Sequence, residues 1–152
     1  MQIYPDFRAF VELFSANKVE YLIIGAHALA SHGRPRYTSD LDVFVRGSDA
    51  NLAALLLALE AFGFGSLKLT PADFGPDQFV RLGVAPVRID ITATVSGLDF
   101  DEAWNDRVKL WLNRRRPPPA ARPPLSLCGW FGRVGRPASY PAAQMQTKLE
   151  AI

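Results

Sequence analysis

Three aspartates interrupt runs that are otherwise apolar and rich in β-formers: Asp40 and Asp42 on either side of Leu41, and Asp90 between Ile89 and Ile91. A carboxylate in such surroundings is costly unless positive charge compensates it. Asp40 and Asp42 are two apart, so on a strand they share a face. Asp90 repeats the pattern of an acid flanked by residues for the opposite face. If the two strands are neighbours, three carboxylates converge. Hard oxygen ligands of this kind suit Mg²⁺ or Mn²⁺. Two such ions can activate an attacking oxygen and stabilise a leaving pyrophosphate. Alone, Asp-x-Asp is a common triplet, and Asp90 also reads as an ion-pair partner of Arg88 or Arg36.

The elements that must position these acids are legible from the pattern. Phe7, Phe10, Val11 and Phe14 recur at helical spacing, predicting a helix over about 5–17. Tyr21–Ile24 reads as a buried strand ended by Gly25. Residues 26–31 fit a short helix that stops at Gly33, and Pro35 keeps residues 33–36 in a loop. Residues 41–45 then alternate, with Leu41, Val43 and Val45 on one side and Asp40, Asp42 and Phe44 on the other. Ser48 caps a helix over 51–62 that ends at Gly63. Residues 63–77 read as loop. Strands follow at 79–82 and 87–94, with residues 83–86 as their hairpin. Asp99 caps a helical turn reaching Trp104.

The chain has 152 residues, enough for one domain with a real core. No uninterrupted apolar run approaches the roughly 20 residues of a membrane span. The first ten residues lack the basic start and apolar core of a signal peptide. The single cysteine, Cys128, excludes an internal disulfide and a cysteine metal cluster. A cytoplasmic setting without membrane association is expected. The net charge of +2 hides a division: residues 1–106 carry −6 and residues 107–152 carry +8.

The stretch over residues 25–45 carries a resemblance. A strand ends at Gly25-Ala26, a short helix follows, and Asp40-Leu41-Asp42 stands on the next strand. This arrangement resembles the DNA polymerase β-like nucleotidyltransferase superfamily, whose third carboxylate, on a later strand, is matched by Asp90. Gly25, Ala28, His32, Gly33, Arg36, Thr38, Asp40 and Asp42 are similar to a pattern in small bacterial abortive-infection and toxin-type nucleotidyltransferases. The likeness extends through Ser96, Gly97, Phe100 and Trp104 and covers about residues 3–108.

The resemblance implies an α/β (α+β) fold, with a small mixed sheet of four to five strands and helices packed on one face. It implies Mg²⁺- or Mn²⁺-dependent transfer of a nucleoside monophosphate from an NTP to a hydroxyl of RNA, protein or a small molecule. It is compatible with a place in a toxin–antitoxin or phage-defence system, with a cognate partner or a homodimer completing the cleft. Asp40 and Asp42 would hold both metals. Asp90 would complete the second metal site and serve as base. Gly25 and Ala26 would receive phosphates through backbone amides. Arg36 would contact phosphate or position Asp40, and Thr38 would tether the loop before the strand. His27 and His32 read as packing or capping groups, and Lys68 and Arg81 as surface charges. Ala26 departs from the Gly or Ser usual in the superfamily and removes a hydroxyl that can bind phosphate. The alternative expectation is a catalytically impaired copy that serves as a nucleotide-binding or interaction module.

Residues 109–152 form an atypical basic segment. Arg114, Arg115 and Arg116 stand in a row, residues 113–141 hold seven of the twelve prolines, and no helical or strand period persists beyond Trp111. Three readings stay open for residues 113–147: a basic arm with Trp111, Trp130 and Phe131 for a nucleic-acid backbone, a Pro/Arg-rich tail without a partner, and a stretch read out of frame. Residues 142–152 are expected to form a short terminal helix.

Overall fold

A computed structural model describes residues 5–31, 38–84, 87–110 and 125–127 of the chain. Four α-helices and six strands are defined: α1 (Pro5–Ala16), β1 (Tyr21–Ile24), α2 (Gly25–Ser31), β2 (Asp40–Val45), α3 (Asp49–Leu59), β3 (Phe79–Val84), β4 (Val87–Thr92), α4 (Phe100–Asn105), β5 (Val108–Leu110) and β6 (Leu125–Leu127). The fold is α/β, as expected. The strands form one mixed sheet in the order β3-β4-β2-β1-β6-β5. β1 runs antiparallel to β2, which runs parallel to β4. β3 closes the edge antiparallel to β4.

Alternation along the strands divides the sheet into two unlike faces. Tyr21 and Ile23, Leu41, Val43 and Val45, Val80 and Leu82, and Ile89 and Ile91 bury on one face. Phe7, Phe10, Val11 and Phe14 of α1 pack there, as do Leu52, Leu55, Ala58 and Leu59 of α3. The period of two in the strands thus meets the period of 3.6 in the helices. The opposite face carries Leu22, Ile24 and Phe44 beneath Phe100 and Ala103 of α4. The Phe44 and Phe100 rings meet edge to face at 5.1 Å. Helix packing thus extends to both faces, and α4 lies on the face of Asp40 and Asp42.

The helix ends obey local chemistry. Ser48 accepts from the Asn51 amide as the cap of α3, and Asp99 accepts from the amides of Asp101 and Glu102 as the cap of α4. α3 runs on through a wider turn, Glu60–Phe64, in which Gly63 takes φ 111°. The expected loop over 63–77 contains two further single turns, Gly65–Leu67 and Pro71–Phe74. With that continuation, Asp49–Leu67 is long and apolar enough to cross a membrane by length and composition alone. Its Leu52, Leu55, Ala58 and Leu59 are spent on the core of this domain.

One strand lies where no period was legible. Leu125–Leu127 pairs parallel to β1 at Ile23 and antiparallel to β5. Three residues are too few to display alternation, and one of the two partners, β1, lies far away in the chain. The expected terminal helix over 142–152 falls outside the described residues, as do Arg36, His32, the arginine triplet, Trp111, Trp130 and Phe131.

A single buried amide ties the frame together. The Asn51 side chain accepts from the Glu20 amide at 2.7 Å and donates to the carbonyls of Glu20 and Arg46 at 3.1 and 2.9 Å. It thereby joins the entry to β1, the exit from β2 and the first turn of α3. Asn51→Ala is expected to lower stability by about 2–3 kcal/mol, because the Glu20 amide and the Arg46 carbonyl lose their partner, while the Glu20 carbonyl keeps only the Arg46 amide. Urea unfolding measures this, and a loss under about 1 kcal/mol would show that water replaces the amide.

Candidate active site

The site is built on the sheet face opposite α1 and α3. Across the parallel β2–β4 pair, Asp42 is the register partner of Asp90, and Asp40 of Arg88. Across β3–β4, Asp90 is the partner of Arg81, and Arg88 of Gly83. On the other side Asp42 faces Ile24, the last residue of β1. One row across the sheet therefore reads Arg81, Asp90, Asp42, Ile24, and the next reads Gly83, Arg88, Asp40. Adjacent strands are about 4.8 Å apart, so the three carboxylates are near neighbours.

Two of the three acids hold a guanidinium. Arg81 grips Asp90 with both arms of its fork, Nε to Oδ1 at 2.9 Å and Nη2 to Oδ2 at 3.0 Å. Arg88 donates through Nη2 to Oδ2 of Asp40, whose Oδ1 accepts from the Ser39 hydroxyl at 2.9 Å. Arg81 is therefore not a surface charge: it is the half-buried partner of Asp90. Asp90 does form an ion pair, with Arg81, while Arg88 pairs with Asp40; the other arginine named from the sequence, Arg36, is outside the described residues. Among the described residues the Asp42 carboxylate has neither an ion-pair partner nor a side-chain hydrogen bond. Burial pushes its pKa up to about 7, and the charges of Asp90 and Asp40 push the same way.

Gly25 explains how the half-buried Asp42 carboxylate fits at the end of β1. Its φ is +66°, and a Cβ built there would run into the Asp42 carboxylate, 2.9 Å from Cγ and closer still to Oδ2. Only glycine lets the backbone pass this close with a left-handed φ. Ala26 follows in the first turn of α2. Thr38 holds the entry to β2: its hydroxyl accepts from the Asp40 amide and faces the Asp40 carbonyl, both at 3.2 Å. His27 is buried, its ring edge-on to Phe7 at 5.9 Å. Burial lowers its pKa, opposed by the charge of Asp40.

The structure thus brings Asp40, Asp42 and Asp90 to one face, with Gly25 against Asp42 and Thr38 at the start of the strand. Arg36 lies outside the described residues. Arg81 and Arg88 join the site, and the signal for them was available in the alternation of β3 and β4, which puts both on the face of Asp90. The donor set suits a hard divalent cation in type and charge, with the half-buried Asp42 carboxylate paired to no guanidinium and only partly offset by the charges of Arg88 and Arg81. Among the described residues, no group of three His, Cys, Asp or Glu side chains is arranged to hold a metal ion. Compared with known proteins, the chain matches no family model, no curated protein and no solved structure.

Two outcomes follow for Asp42. Its carboxyl ionises near pH 4 in the unfolded chain and near pH 7 in the folded one. The native state therefore holds the proton more tightly, and stability falls as pH rises from about 4 to about 7. In metal-free buffer, Asp42→Asn is expected to match the wild type at pH 4 and to exceed it in urea midpoint at pH 8. An equal gain at both pH values would remove the charge explanation. Gly25→Ala is expected to cost about 1–3 kcal/mol, and less in an Asp42→Ala background, where the steric target is gone. Additive losses in that cycle would place the strain in the backbone alone.

Proposed function

We propose that this protein is a divalent-metal-dependent nucleotidyltransferase acting through Asp40, Asp42 and Asp90. The observation that carries the reading is the row of acids across β2 and β4, in which Asp42 sits partly desolvated beside Asp90 without a guanidinium paired to it. A fold accepts that cost where a cation arrives as part of the working state. Mg²⁺ or Mn²⁺, when bound, would supply Lewis-acid stabilisation of the phosphates and of the pyrophosphate that leaves.

In this reading Asp40 and Asp42 would hold the metal ions, and Asp90 would complete the second site. An acceptor hydroxyl oxygen attacks the α-phosphorus of an NTP. The bond from that phosphorus to the α–β bridging oxygen breaks, and pyrophosphate departs. The acceptor proton passes to Asp90. Gly25 borders Asp42, and the Gly25-Ala26 backbone would face the phosphates, with no serine hydroxyl to help. RNA, protein and small molecules all offer the required hydroxyl.

A second reading, a nucleotide-binding module without catalysis, draws on the two guanidinium groups already seated on Asp40 and Asp90. One experiment separates the two. Purified protein is incubated with each α-labelled NTP, Mg²⁺, and total cell RNA or protein. The enzyme reading expects label transfer that Asp42→Ala lowers by about 10²–10³-fold. Transfer that is absent, or equal in Asp42→Ala, would sink it. Absent transfer together with nucleotide binding by filter assay favours the module.

A further inference from the structure

The two arginines on the acid face have more donors than their present partners use. Arg88 reaches Asp40 through Nη2, while its Nε is buried and has no acceptor among the described residues. A buried guanidinium nitrogen left unpaired costs free energy comparable to a lost hydrogen bond. On the β3 side, the register neighbour of Arg88 is Gly83, which has no side chain. Gly83 takes φ +77°, and a Cβ there would lie 2.5 Å from the Val87 carbonyl oxygen. The backbone thus keeps a glycine beside Arg88, and no β3 side chain competes for its free donors. Arg81 is half-buried in the adjacent row and holds both oxygens of Asp90. Its guanidinium also lies over the Phe79 ring, 5.3 Å from the centroid. Phe79 and Arg81 share a face of β3, so the ring guides the side chain from the strand side.

We propose that Arg81 and Arg88 are exchange residues: they sit on Asp90 and Asp40 while the site holds no divalent cation, and they move to the phosphate oxygens of the nucleotide when those carboxylates are given over to metal. The proposal rests on the nucleotidyltransferase reading and adds to it. Guanidinium forks match carboxylate and phosphate equally well, so the same donors serve in both positions. The exchange keeps the charge of the face nearly balanced. Without it, three carboxylates would stand side by side before metal arrives. With metal and triphosphate present, the arginines would otherwise be left unpaired. Each is thereby a competitor for the cation and a ligand for the nucleotide, and these two effects have opposite signs on substitution.

That opposition gives the test. Binding of Mn²⁺ alone and of Mg²⁺-tripolyphosphate is measured by calorimetry for the wild type, Arg81→Gln and Arg88→Gln. The exchange expects each variant to bind Mn²⁺ about tenfold more tightly and Mg²⁺-tripolyphosphate about tenfold more weakly than the wild type. Mn²⁺ affinity that is unchanged or reduced in both variants overturns the proposal, as does unchanged affinity for tripolyphosphate. If either variant fails to fold, the wild type reports directly through its arginine Nε–H resonances. Those of Arg81 and Arg88 are expected to shift on adding Mg²⁺ and to shift again with tripolyphosphate. Resonances that stay fixed through both additions overturn the exchange. Wild-type binding of Mn²⁺ with no change in the variants defeats the exchange alone. Absence of Mn²⁺ binding by the wild type defeats the metal-dependent reading and the exchange with it.

Discussion

Two carboxylates cannot stand side by side on adjacent strands, shielded from water, without a cation or a proton to separate them. Asp42 and Asp90 are register partners across the β2–β4 pair, and most of the polar face is arranged around that constraint. Arg81 neutralises Asp90 from the edge strand. Arg88 neutralises Asp40 in the next row. Gly25 removes the side chain that would otherwise strike Asp42. What is left is one carboxylate whose surroundings favour the protonated form up to neutral pH. The apolar face obeys only volume and periodicity. Its job is to keep β2 and β4 parallel and in register, so that the acids meet.

The frame that sets this register is anchored away from the acids. At the far end of β1 and β2, Asn51 bonds to both strand ends, and Arg46 pairs with Glu20 and lies 4.7 Å over the Phe100 ring. α4 clamps the middle of the same face through Phe100 against Phe44. The sheet is thus pinned at one end by hydrogen bonds and aromatic packing, and its other end is left to charge. A one-residue slip of β2 would turn Asp40 and Asp42 into the core beside α1 and α3. The cost of burying them there guards the register as firmly as the pinning does.

Much of this was legible in the sequence because it depends on local rules. The alternation of residues 41–45 set both the strand and the common face of Asp40 and Asp42. Ser48 and Asp99 were readable as caps because each precedes an apolar helical run and carries an acceptor oxygen. The partners of the acids were harder to read. Arg88 stands two residues from Asp90 and was matched to it by proximity. On a strand, however, the residue directly opposite is nearer than the residue two along, and opposite Arg88 is Asp40. Arg81 looked like a surface charge because only the β3–β4 register shows what lies beside it. β6 was invisible for a related reason: its pairing with Ile23 is a property of two distant segments and not of either one.

The parallel contact of β1 with β6 also has a consequence for the order in which the molecule can assemble. Asp40 and Arg88, 48 residues apart, are both on the β2–β4 pair, and that pair lies wholly in the first two-thirds of the chain. β3, β4, β2 and β1 can therefore close on one another, with α1 and α3 packed beneath, before Leu125–Leu127 has left the ribosome. Contacts between distant segments form late because their loop must first be closed. In the interval the β1 edge presents unpaired amides and carbonyls. The acid row would be complete on the nascent chain while its neighbouring edge still waits for a strand.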